Sequence, residues 1–325
     1  MRKLILLLMT LTSFGLYEGM LLFKQPENFS EKAIDIPANS SLKSVSYLLY
    51  REGVIKSQWG FLLLGKISGA ARKIQAGEFM FRQPSSPNNT LRTLRYAKVV
   101  LHRVTVPEGS TLAEMAPWFE QAKIISAQEF LESSRNQVYL SMFQVPSDRM
   151  EGYLFPSTYL FPKNERIQNI FKIMYNELEK NITLEDRQKA VALGWRLHQW
   201  ITFASVIEKE TNNPIEYGLV SGVFHNRLKK GMKLQSDPTV IYGIENYDGN
   251  IRKKDLLKDT PYNTYTRKGL PIGPVSNPGA AAIHAAVNPT PSEYLYFVGN
   301  GQGAHVFTKT YEDHLKAVRQ YQLHQ

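Results

Sequence analysis

The chain of 325 residues contains no cysteine. Thiol nucleophiles, disulfides and thiolate metal sites are therefore excluded. There is no His-Glu-x-x-His motif, and the seven histidines form no close pair, so no metal site and no metal cofactor is expected. A Gly-x-Ser-x-Gly elbow and a phosphate loop are also missing, which sets aside the serine hydrolases and nucleotide enzymes that depend on them. Zinc-finger spacing, an RNP-type aromatic signature and a basic block of six are absent as well, so no nucleic-acid partner is expected. What remains is a basic chain of net charge +10, with 43% apolar and 21% charged residues. That balance suits a globular protein of about two domains with an anionic partner such as a membrane face or an acidic polymer.

The start of the chain is asymmetric. Arg2-Lys3 precedes an apolar stretch over 4–23, and Lys24 follows it. About twenty residues are enough to cross a bilayer core, and the positive start predicts a cytoplasmic N-terminus with the bulk outside. Glu18 lies inside the stretch, near its outer end. Ser13-Phe14-Gly15, after an apolar run at 4–11, has the small-x-small form of a signal cleavage site. Anchor and cleaved signal both export the rest of the chain. The anchor, residues 1–24, is the favoured reading.

A repeat follows the polar linker at 25–30. Ile34-Asp35-Ile36-Pro37-Ala38-Asn39-Ser40-Ser41-Leu42 matches Val104-Thr105-Val106-Pro107-Glu108-Gly109-Ser110-Thr111-Leu112 at an offset of 70 residues. The match persists without a gap: Val45 falls on Met115, Leu49 on Phe119 and Val54-Ile55 on Ile124-Ile125. Each copy predicts a strand, a turn and a helix, with a second helix after Ser57 or Ala127. A strand at 77–81 closes the first copy, giving a small βααβ module. A loop at 84–90 leads to a helix at 91–96 capped by Asn89 or Thr90. Beyond the aromatic-rich loop at 151–162, helices are predicted at 167–180, 185–193, up to Glu208, and at 217–229. A loop-rich third then carries a helix at 280–287, a strand at 294–298, a return strand at 305–307 and a last helix at 311–321. The whole reads as α+β.

The chemistry gathers at Ala204-Ser205-Val206-Ile207-Glu208-Lys209-Glu210-Thr211. The preceding Trp200-Ile201-Thr202-Phe203-Ala204 is apolar almost all round, as in a buried helix. A carboxyl at the end of such a helix is costly unless paired or protonated, and a raised pKa is what a general acid needs. The plain alternative is a helix running out into solvent. Glu208 and Glu210 are two apart on the helix and point in different directions, and residue pattern does not choose between them. The C-terminal loops add Gln235, Asp237, Tyr242, Tyr262, Asn263 and Tyr265. Tyrosine rings stack on pyranose faces, and amides and carboxylates meet hydroxyls. Against that, Asn263 and Asp237 suit turns and the tyrosines suit a core.

Taken together, the runs 204–211, 222–228, 234–243, 262–265, 269–271 and 294–298, in that order, resemble the YceG-like (MltG) family of endolytic murein transglycosylases. Glu151-Gly152-Tyr153-Leu154-Phe155-Pro156 fits that family's Glu-Gly-aromatic-x-aromatic-Pro pattern. The resemblance implies a LysM-like module at 25–100 and a YceG-like catalytic domain at 101–325. It implies a lyase without cofactor that cuts the β-1,4 bond between N-acetylmuramic acid and N-acetylglucosamine in nascent peptidoglycan. Such cleavage leaves a 1,6-anhydro end and terminates strand elongation. It makes Glu208 the catalytic residue. Glu151, Gln235, Asp237, Tyr242, Tyr262, Asn263 and Tyr265 are the candidate substrate contacts by residue type and place in the loops. Glu151 and Asp237 are also the candidates for a second carboxylate. Glycan strands, the cytoplasmic membrane and peptidoglycan synthases are the expected partners, with the catalytic domain on the outer side of the inner membrane. The alternative is an exported protein that binds peptidoglycan without cutting it.

Overall fold

The structure is a computed structural model. It describes residues 30–322 apart from 38, 71, 72, 83 and 84, together with 13, 16, 17 and 20. The apolar stretch 4–23 thus lies almost wholly outside the described residues. Among the described residues, no helix is long and apolar enough to cross a membrane. The described residues divide into two compact units, one running to residue 102 and joined by 160–164, the other made of 103–159 and the described residues from 165 on.

The first unit contains β1 (Lys32–Ile36), α1 (Leu42–Arg51), α2 (Gln58–Ile67), β2 (Gly77–Phe81) and α3 (Pro87–Tyr96). β1 and β2 pair antiparallel, with Lys32 opposite Phe81 and Ile36 opposite Gly77. Strand alternation turns Ile34, Ile36, Phe79 and Phe81 inward, onto Val45 and Leu49 of α1, Phe61 of α2, and Leu91 and Leu94 of α3. Each helix opens on a serine whose hydroxyl accepts an amide three residues on: Ser41 from Ser44, Ser57 from Gly60 and Ser86 from Asn89. The third helix starts at Pro87, earlier than the 91 that pattern predicts. Proline is preset for a first helical turn, so Ser86 caps in place of Asn89 or Thr90.

From residue 101 the order is β3 (Leu101–Thr105), α4 (Leu112–Gln121), α5 (Ala127–Ser134), α6 (Gln137–Met142), β4 (Thr158–Pro162), α7 (Ile167–Asn181), α8 (Leu184–Ala192) and α9 (Leu197–Glu210). A 3-10 turn (Pro214–Glu216) leads into α10 (Tyr217–Lys229), α11 (Asp237–Ile241), α12 (Lys253–Leu257), α13 (Ala280–Val287), β5 (Tyr296–Gly299), β6 (His305–Thr308) and α14 (Tyr311–Gln322). β3 pairs with β4, and β5 and β6 form an antiparallel hairpin with Tyr296 opposite Thr308. The architecture is mixed α+β. The helices α11 and α12, five residues each, lie where the sequence reads as loop, because single turns are too short to show a period.

The 70-residue repeat is structural as well as sequential. Asn39 and Gly109 both take positive φ, 61° and 73°. Ser40 N–H donates to Pro37 O and Ser110 N–H to Pro107 O, at 3.3 and 3.4 Å. Ser41 and Thr111 then cap their helices. At the far end Gly53 and Lys123 both turn left-handed, and Val54 and Ile124 donate back to Leu49 and Phe119.

In the second unit α9 is the core. Every residue from Trp200 to Glu208 is buried. The segment 275–279 straps across it: Val275 N–H donates to Ser205 Oγ at 3.0 Å, and Ser276 Oγ donates to Ser205 O at 3.3 Å. Asn277, fully buried, is the knot. Its Nδ2 donates to Ser110 O and Glu151 Oε1, and its Oδ1 accepts from Gly152 N and Leu154 N, all at 2.8–3.1 Å. Gly152 turns at φ 86° with no room for a side chain, since a Cβ there would stand 2.5 Å from Pro274. Asn277→Ala would take the acceptor from the buried Gly152 and Leu154 amides and one donor each from Glu151 Oε1 and Ser110 O, which keep the Leu112 amide and the backbone amide of residue 277. It is expected to cost about 3 kcal/mol or more, read as a fall of roughly 10 °C in thermal midpoint; an unchanged midpoint would show that the knot is dispensable.

Candidate active site

Glu208 sits on the last turn of α9 with only 8% of its surface exposed. Each carboxyl oxygen has one donor. Tyr217, buried at the start of α10, donates its hydroxyl to Oε1 at 2.7 Å. Gly279 N–H, at the start of α13, donates to Oε2 at 2.9 Å. Gly109 closes against the side chain, and a Cβ there would meet Glu208 Cγ at 3.3 Å. Lys209 Nζ reaches across to Gly109 O at 3.2 Å. Burial pushes the Glu208 carboxyl above its ordinary value. The Tyr217 hydroxyl and Gly279 amide oppose the rise, the Glu108 carboxylate adds to it, and Lys209 opposes it. The result is a fixed, partly enclosed acid that retains its proton above the usual glutamate range.

The base beneath it is held by a second carboxylate. Glu216 accepts from the amide and the Nδ1 of His305, at 2.8 and 2.7 Å, and from the Thr211 hydroxyl at 3.2 Å. Burial alone would raise Glu216, but the His305 donors leave it below its ordinary value. His305 therefore ties the β5–β6 hairpin to the segment that presents Tyr217.

The eight residues predicted from sequence separate into distinct places. Glu151, Tyr242 and Tyr262 belong together. Tyr242 donates to Glu151 Oε2 at 2.9 Å, and the two tyrosine rings lie 4.7 Å apart. Glu151 also accepts the Leu112 amide at the start of α4, and Asn277 joins it to the turn beside Glu208. Gln235, Asp237 and Tyr265 line a separate cavity of about 320 Å³ with Glu210 and Arg227. There Tyr265 donates to Asp237 at 2.5 Å, and Gln235 takes a left-handed φ of 50°. Arg227 is buried and donates to Leu295 O and Leu234 O. Asn263 stands behind them, its Nδ2 donating to Leu256 O and Lys258 O and its Oδ1 accepting from Tyr265 N. That is the turn-holding role its residue type suits. Glu208 and Glu210 thus face different sites. Among the described residues no group of His, Asp and Glu is arranged to hold a metal ion.

Sequence reasoning missed Tyr217, Gly279, Asn277 and Glu108. Nothing in the pattern near Tyr217 or Gly279 marks them, because both reach Glu208 only through the fold. Glu108 had a signal: it is one of the positions at which the two copies of the repeat differ in charge, Ala38 against Glu108, as Asp35 is against Thr105.

The YceG-like family matches residues 34–320. A relative from Bacillus subtilis (strain 168), named endolytic murein transglycosylase, is 32% identical over 308 residues, covering 89% of this chain and 84% of its own length. A protein of the same name from Streptococcus pneumoniae (strain ATCC BAA-255 / R6) is 28% identical over 320 residues; the match covers 89% of this chain and 58% of the pneumococcal one. The crystal structure of a yceG-like protein from Listeria monocytogenes superposes with a TM-score of 0.61 at 29% identity, covering 88% of this chain and 98% of that one.

Burial pushes both Glu151 and Glu210 up to about 7 from an ordinary 4.5. The folded state then holds more protons than the unfolded state between those values. The stability these groups confer is whole below about 4.5 and is lost as pH rises through about 7. His225, which burial lowers from 6.5, acts in the opposite sense, so the readout is a difference between proteins. Glu210→Gln is expected to gain on the parent by on the order of 2 kcal/mol between pH 5 and pH 8. A gap that stays constant with pH would contradict the assignment.

Proposed function

The chain belongs to the YceG-like family, and from that membership we propose that it is an endolytic murein transglycosylase, a lyase that cuts peptidoglycan strands internally. The observation that carries this reading is the Glu208 carboxyl: buried, fixed by one donor on each oxygen, and raised toward the protonated form. In the proposed reaction Glu208 gives its proton to the glycosidic oxygen between N-acetylmuramic acid and N-acetylglucosamine. The muramic acid ring passes through an oxocarbenium-like state. Its own C6 hydroxyl then attacks C1, returning a proton to Glu208 and leaving a 1,6-anhydro end. The attacking group is tethered to the ring, which gives it a very high effective concentration, and no water is consumed.

Tyr217 and Gly279 suit this cycle because their hydrogen bonds also stabilise the carboxylate that remains after proton donation. In this reading the tyrosine pair at Glu151 and the cavity at Gln235, Asp237 and Tyr265 are places for neighbouring sugars, with Asn263 as their support. Residues 1–24 are the membrane anchor, 25–100 a LysM-like module and 101–325 the catalytic domain. The catalytic domain works outside the inner membrane, beside peptidoglycan synthases, where it ends strand growth. The βααβ order of β1, α1, α2 and β2 supports the LysM-like label, and the apolar 4–23 stretch after Arg2-Lys3 supports the anchor.

Purified uncrosslinked strands should yield anhydro-ended fragments with the parent, read by mass, and cleavage should fall about a thousandfold or more in Glu208→Gln. Reducing ends would mean hydrolysis. Glycan binding without cleavage by the parent would favour a binding protein.

A further inference from the structure

Glu108 neighbours Glu208 and has no part in the proton cycle described above. We propose that it is a second catalytic carboxylate, standing beside the anomeric carbon and facing the positive charge that develops there; this rests on the transglycosylase reading of Glu208. Glu108 and Glu208 converge on one residue, Gly279. Glu208 accepts the Gly279 amide. The Glu108 side chain lies over the Gly279 α-carbon so closely that a Cβ would come within 2.7 Å of Glu108 Cγ and would overlap the carboxyl itself. The φ of Gly279 is −79°, open to any residue, so it is space for Glu108 that calls for glycine here.

The two carboxyls differ in solvation. Glu208 is enclosed, whereas Glu108 is exposed at its mouth. An enclosed acid beside an exposed carboxyl group is an arrangement that divides two roles, one to donate a proton and one to face developing charge. The turn that carries Glu108 is braced. Ser110 donates its amide and hydroxyl to Pro107 O, Gly109 N–H donates to Asn277 O at 2.9 Å, and Lys209 Nζ donates to Gly109 O. In the first copy Ser40 N–H likewise donates to Pro37 O, and the sequence there has Ala38 where the second copy has Glu108.

The step balances with Glu108 unchanged. The Glu208 proton passes to the glycosidic oxygen, and the C1–O bond breaks with its electron pair leaving on that oxygen. The C6 oxygen then bonds to C1, and the C6 hydroxyl proton returns to Glu208. Glu108 forms no bond in the step. Its charge offsets that of the oxocarbenium and disfavours ionisation of Glu208 before the step. The groups facing Glu208 are Tyr217 from α10, Gly279 at the start of α13, Lys209 on α9 itself and Glu108 from the 107–110 turn.

The test uses the full chain on uncrosslinked strands, with Glu108→Gln, Glu108→Asp and Gly279→Ala. Glu108→Gln is expected to lower kcat roughly a hundredfold with KM little changed. It should also move the alkaline limb of the pH profile to lower pH, because a negative neighbour of Glu208 is gone. Glu108→Asp should recover part of the loss, and Gly279→Ala, which expels the Glu108 carboxyl, should lose activity in the same direction. A Glu108→Gln enzyme within twofold of the parent, with its limb unmoved, would overturn the proposal. Infrared titration of the Glu208 carboxyl needs no turnover. Its midpoint must fall in Glu108→Gln, and an unmoved midpoint overturns the proposal even if a variant melts early. Failure of the transglycosylase reading looks different: a parent that makes no anhydro ends.

Discussion

A carboxyl enclosed at the end of an apolar helix must be given donors or keep its proton, and the surroundings of Glu208 meet both conditions. One oxygen takes a hydroxyl from α10 and the other an amide from the start of α13. Neither donor is a cation, so burial still prevails and the proton is retained. A full salt bridge would hold the group ionised and unable to donate, and bare burial would leave its conjugate base without support. The intermediate solution suits a group that must both release and recover a proton.

Holding two donors and two glycines around one side chain requires the segments that carry them to be fixed against one another. Asn277 does this. It binds the 109–110 turn, the 151–154 loop and, through its neighbour Pro278, the position of Gly279. Glu151 extends the knot to Tyr242 and to the start of α4. A buried amide and a buried acid thus share one hydrogen-bond network in which several donors and acceptors are already matched. Such networks are rigid when complete and costly when broken.

Much of the fold is legible in the sequence. The unbroken apolar run from Trp200 marks α9, and the 70-residue repeat anticipates two strand–turn–helix–helix units, to which the structure adds a left-handed residue at the same place in each turn. The carboxylate pair at Glu208 and Glu210 is not resolved by pattern, because both lie at the same helix end and burial raises both. What separates them is their partners: residues 217 and 279 for one, the cavity beside Arg227 for the other. The loop residues were harder. Tyr242, Asp237 and Tyr265 look alike as polar loop aromatics and acids, yet Tyr242 faces Glu151 while the other two face Glu210. Asp237 and Tyr242 stand at opposite ends of the short helix α11 and Tyr265 in a loop, and a helix of five residues is too short for its period to show which way each faces.

The central claim is that Glu208 works as a protonated acid at a pH where an ordinary glutamate has ionised. The direct measurement is the pH dependence of kcat/KM for strand cleavage by the intact chain, which reports the essential acid of the free enzyme. The account predicts that activity persists above the ordinary value of 4.5 and falls as a single proton is lost. A loss of activity centred near 4.5 would contradict it.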